Sequence, residues 1–109
     1  MSEFRAKFNI GQVVFHRLFG FRGVIYDVDP QYANTEDWYE SIPAEIRPAK
    51  DQPFYHLLAQ NESGSYEAYV SEQNLVIDES DKPIDHPGIL DYFNEPQPGF
   101  YQLRDVLAH

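Results

Sequence analysis

The sequence contains no cysteine, so neither disulfides nor thiolate metal ligands can hold its fold. That fits a reducing compartment, and a cytoplasmic location is the expectation. No apolar run approaches the roughly 20 residues needed to cross a bilayer. The opening MSEFRAKFNIGQ also lacks the apolar centre of a signal peptide, so a soluble chain is expected. Positive charge is scarce: Lys and Arg total 8 against 18 Asp and Glu, a formal net charge of −10. This is the wrong sign for a general nucleic-acid binder, whose affinity comes from neutralising phosphates. There is no G-x-S-x-G elbow, phosphate-cradling glycine loop or cysteine nucleophile, and the chain is expected not to be an enzyme.

Aromatic residues, in contrast, are plentiful at 16%, within a hydrophobic content of 42%. They favour half-buried pleated surfaces. At 109 residues the chain is expected to be one domain over 1–109, with a barrel over about 7–77 and an acidic loop and tail over 78–109. VVFH (13–16) reads as a first strand and RGVIYDV (22–28) as a second, with Val24, Tyr26 and Val28 sharing one face. Gly11 and Gly20 bracket the first strand, where a positive φ is cheapest for glycine. Pro30, lacking an N–H, ends the second near Asp29.

Residues 31–53 carry three prolines and a run of acids and read as a long acidic insertion between strands two and three. Asn34 or Thr35 is placed to cap a short helix over Glu36 to Glu40. Trp38 and Tyr39 are its expected anchors against the barrel wall. FYHLLAQ and SYEAYV form a second hairpin across NESG, and NLVI (74–77) a fifth strand. Ser71 is placed to cap one helical turn before that strand. DESDKPIDHPG reads as loop. The spacing of Tyr101, Leu103, Val106 and Leu107 predicts a brief amphipathic C-terminal helix. Together these elements predict an all-β fold: a small, partly closed barrel of about five strands.

Four segments in order, KFNIGQVVFHR, GFRGVIYDVDP, DQPFYHLL and AYVSEQNL, resemble the heat-shock protein HspQ family, also described as YccV-like hemimethylated-DNA-binding domains. The resemblance runs from about Lys7 to His86 and implies an SH3-like β-barrel. It implies two activities. One is a role in heat-shock proteolysis, acting on the protease Lon as specificity factor and substrate. The other is binding of hemimethylated DNA, linked to control of a replication initiator. Because the charge balance favours protein partners, the proteolytic role is the leading expectation and DNA binding its alternative.

The candidate residues divide accordingly. Arg5, Lys7, Arg17 and Arg22 face Glu3 alone within the first 25 residues and are the candidates for phosphate contact. Their alternative role is pairing with the chain's own acids. Trp38, Tyr39, Phe100, Tyr101, Leu103, Val106 and Leu107 are the candidates for protein contact or self-association. His16, His56 and His86, completed by Asp27 or Asp29, are weighed as a zinc site. No pair has close ligand spacing, so they are expected to be packed histidines with no metal or cofactor.

Overall fold

The computed structural model describes residues 6–94 and 99–104. Five strands, β1 (Val13–His16), β2 (Arg22–Asp29), β3 (Phe54–Asn61), β4 (Gly64–Ser71) and β5 (Leu75–Ile77), form one sheet in the order β4-β3-β2-β1-β5. All neighbours are antiparallel. The edges β4 and β5 do not pair with each other, so the sheet is open. Two short helices, α1 (Glu36–Glu40) and α2 (Ile89–Tyr92), lie outside it. Among the described residues no helix is long and apolar enough to cross a membrane.

The central strands carry apolar pairs, Val13-Val14, Val24-Ile25 and Leu57-Leu58, and all six side chains are buried. Side chains alternate between faces, so adjacent buried residues mean that both faces are covered. One face packs Val14, Ile25 and Leu57 with Phe8, Tyr55 and Leu75. The other packs Val13, Val24 and Leu58 beneath Ile84, Ile89, Phe93 and Tyr101. The C-terminal segment therefore supplies a second core layer. Burying a side chain such as Phe93 stabilises by about 1.5–3 kcal/mol.

That segment differs from the expected form. Helix α2 falls at Ile89–Tyr92, and Phe100 to Leu103 run extended, bridging Gln12 and Phe93. Val106 and Leu107 lie outside the described residues. The apolar spacing of Tyr101 and Leu103 reflects period-two alternation onto the sheet rather than a helical stripe: Tyr101 is fully buried and Leu103 packs partly under the same cluster. Gly11 makes this docking possible. Its φ is +94°, and a Cβ there would lie 2.0 Å from Tyr101 O. Tyr101 N donates to Gly11 O at 2.5 Å.

Strand β2 also departs from simple alternation. The register slips between Ile25 and Asp27, making Tyr26 the extra residue of a β-bulge. Beyond the bulge the faces exchange. Val28 packs with the Ile25 cluster, not with Val24 and Tyr26 as alternation predicts. The β3–β4 turn is tighter than NESG suggests, because Asn61 already pairs with Gly64 and only Glu62 and Ser63 lie between. A single 3-10 turn over Glu72–Asn74 precedes β5, but Ser71 does not cap it through its hydroxyl. That hydroxyl instead accepts from Asn74 Nδ2 at 3.3 Å.

Candidate interaction groove

A groove of about 590 Å³ runs along β4, whose residues from Glu67 to Ser71 line it consecutively. One wall is the turn between β1 and β2, and the other is the insertion between β2 and β3. His16 builds the first wall. Its Nδ1 accepts from Leu18 N at 3.2 Å and Phe19 N at 3.0 Å, and its ring stacks on Phe19 with centroids 4.6 Å apart. Gly20, at φ +75°, lets the turn return with its N–H on His16 O. The result holds Leu18 and Phe19 out at 49% and 66% exposure. Burial, then the Arg17 charge, lowers the pKa of His16. That favours the neutral ring this acceptor role requires.

The second wall is ordered by polar contacts. Thr35 Oγ1 accepts from Trp38 N at 3.1 Å, capping α1 with Glu36 and Asp37 in its first turn. Tyr39 donates its hydroxyl to Pro48 O, while Arg47 donates to the carbonyls of Glu40 and Ile42. Lys50 lies over the Tyr39 ring and pairs with Glu36. Trp38 meets Tyr69 of β4 edge-on at 5.5 Å, and Tyr69 accepts a hydrogen bond from Ala33 N. Both anchors proposed from sequence thus sit in the insertion, with Trp38 in the groove wall.

Among the described basic candidates, Arg22 is engaged apart from Lys7 and Arg17. Arg22 Nη2 donates to Asp78 Oδ2 at 2.8 Å and also to Lys82 O, with only 16% of its side chain exposed. Burial alone would raise the Asp78 pKa; hydrogen bonds from Arg22 and Ser80 outweigh it and bring it down. Arg22 therefore ties β2 to the segment after β5, the pairing with the chain's own acids that is its alternative role. Lys7 and Arg17 are exposed and border the Glu72–Asn74 turn. The Lys7 backbone donates to Glu72, and Arg17 Nε donates to Gln73 O at 2.7 Å. Arg5 lies outside the described residues.

Of the C-terminal contact candidates, Tyr101 is core and its hydroxyl accepts from Ile84 N at 2.7 Å. Phe100 remains half exposed. A family model described as "Hemimethylated DNA-binding protein YccV like" matches residues 6–99. The chain belongs to the YccV-like family. In this YccV-like chain the match takes in the sheet, both groove walls and α2, but not Tyr101 or Leu103.

The three histidines do not converge. His16 serves its own turn, and His86 bridges Tyr66 O and Gly88 N. His56 instead meets Asp29, with Nε2 to Oδ2 at 3.0 Å, and Tyr69 donates to the same oxygen at 2.8 Å. Asp27 completes a set of carboxylate and imidazole atoms within 4.8 Å of one another, of a type able to hold a divalent cation. These three are among the residues weighed as a metal site from sequence, there together with His16 and His86. Asp27 and Asp29, two residues apart, share a face by alternation, and past the Tyr26 bulge the β2–β3 register sets Asp27 opposite His56. Sequence reasoning missed Leu18, Phe19 and Ile46 as surface residues. Apolar residues flanking a glycine turn, and again between prolines, were the available signal.

Proposed function

We propose that this chain is a non-enzymatic, cytoplasmic adaptor acting through protein contacts in Lon-dependent proteolysis, as specificity factor and substrate. The observation that carries the reading is the groove along β4. Leu18, Phe19 and Ile46 are exposed large apolar residues on its walls, at 49%, 66% and 41%. Soluble proteins seldom leave such a patch uncovered unless a partner uses it. The net charge of −10 and the locking of Arg22 onto Asp78 further favour a protein partner over DNA. The strand order supports an SH3-like, partly closed barrel as the scaffold. The test is degradation of a model substrate by purified Lon with and without this chain. The chain should change the rate, and Trp38→Ala should reduce that change while leaving the fold intact. No change with folded wild-type protein would overturn the reading.

A second reading, binding of hemimethylated DNA, is favoured by the description of the matching family model. Lys7 and Arg17 beside the Glu72–Asn74 turn are the residues for it. Retention of hemimethylated duplex should fall steeply as salt rises and weaken with Arg17→Ala. Equal, negligible retention of hemimethylated and unmethylated duplex at low salt would remove this reading.

A further inference from the structure

Strand β4 is an edge strand whose ladder partner is β3 alone. Beyond that ladder, among the described residues, its backbone makes one further hydrogen bond, from His86 Nε2 to Tyr66 O. From Glu67 to Ser71 the outer edge therefore opens directly into the groove. An open edge is a template for another extended segment.

The chemistry of the groove narrows what that segment carries. Among its lining residues Glu67 is the one carboxylate, and neither lysine nor arginine lines it. One Glu67 oxygen accepts from Tyr26 at 2.7 Å, and the residue is otherwise exposed. The nearby cations are already engaged with the chain itself: Arg47 with the Glu40 and Ile42 carbonyls, Lys50 with Glu36, and Arg17 Nε with Gln73 O. Asn74, 8% exposed, also lines the groove, and its buried Oδ1 has no hydrogen-bond partner among the described residues. The exposed Glu67 carboxylate thus offers an acceptor, and the aromatic lining its rings, to donors and cations.

We propose that the outer edge of β4 takes up an extended peptide segment of a partner protein, with apolar side chains towards the Phe19 wall on one side and the Trp38 wall on the other, and an arginine or lysine that meets Glu67. This rests on the adaptor reading of the same groove and names the chemistry of its partner. Main-chain pairing to β4 provides the affinity, and the cation provides the selectivity.

Trp38 is the single tryptophan and lines the groove, so intrinsic fluorescence reports binding without a label. Three probes decide the matter: acetyl-Ala-Val-Arg-Val-Leu-Ala-amide, the same peptide with Glu in place of Arg, and the Arg peptide N-methylated at alternate amides. The Arg peptide should shift Trp38 emission saturably, and the Glu peptide should bind at least about fivefold more weakly. The N-methylated peptide should not bind, and Glu67→Gln should abolish the preference for Arg. Equal binding of the Arg and Glu peptides, undiminished binding after N-methylation, or no binding of the Arg peptide would each overturn the proposal. The two readings fail separately. If no peptide binds yet Trp38→Ala still blunts the effect on Lon, the peptide inference falls and the adaptor reading stands. If the Arg peptide binds but the folded wild-type chain leaves degradation by Lon unchanged, the adaptor reading falls and the groove remains a peptide site.

Discussion

Replacing Arg22 by alanine tests whether this residue belongs to the fold or to an anion-binding face. Its guanidinium reaches Asp78 at 2.8 Å, with side-chain exposures of 16% and 6% for the pair. Removing the arginine strands a largely buried carboxylate, and breaking a buried pair in this way costs about 3–5 kcal/mol. Ser80 still donates to Asp78 Oδ2, which points to the lower end, about 3 kcal/mol. At about 4–8 °C per kcal/mol for a domain of this size, the melting temperature should fall by roughly 12–24 °C. Thermal unfolding followed by circular dichroism measures it. Relative to a packed apolar pair, a buried ion pair gains little net stability, because desolvation offsets most of its attraction. Arg22→Met combined with Asp78→Leu should therefore recover most of the loss, because a packed apolar pair replaces a buried ion pair at little net cost. The pH dependence follows from the lowered Asp78 pKa. The pair's contribution is present above the ordinary value of 3.8 and is lost as pH falls through the lower folded value. A single Arg22→Ala variant melting within about 2 °C of wild type would refute the reasoning. Any DNA effect of Arg22→Ala would then have to be explained as direct contact.

Gly11→Ala should be more damaging than Gly20→Ala. Both glycines have positive φ, but only at Gly11 does the new Cβ meet backbone, at 2.0 Å from Tyr101 O. Gly20→Ala should cost about 1 kcal/mol, and Gly11→Ala several times more, with loss of the C-terminal layer visible as faster amide exchange at Tyr101. Similar melting temperatures for the two variants would contradict this. Stability should also fall as pH drops below 6.5, because unfolded His16 takes up a proton that the folded ring resists. The slope from this group is at most about 1.4 kcal/mol per pH unit, and His16→Asn should flatten the curve between about pH 7 and pH 5. Equal slopes in wild type and variant would sink the idea.

The local elements were legible from sequence because each depends on neighbours in the chain. VVFH, the glycines at 11 and 20, the proline after Asp29, and Thr35 before Glu36 act through backbone sterics and nearby hydrogen bonds. These place β1, the turn, β2 and α1. That the central strands are covered on both faces emerged only with the burial of Val13-Val14, Val24-Ile25 and Leu57-Leu58. The family resemblance was carried by the same segments.

What covers the second face could not be read locally. Ile84, Ile89, Phe93 and Tyr101 belong to a stretch broken by prolines and acids, and their spacing fits more than one element. Only docking onto Val13, Val24 and Leu58, through the gap left by Gly11, selects the extended run at Phe100 to Leu103. The same holds for the charges. Arg22 and Asp78 are 56 residues apart, and Asp27, Asp29 and His56 meet only through a bulge and a strand register. Sequence by itself determined which short segments could be strands, turns and caps, because those energies are local. Tertiary structure decided which arginine is locked away, which aromatics are core, and that Phe19, Trp38 and Glu67 share one groove, because those contacts arise only when distant strands take their register.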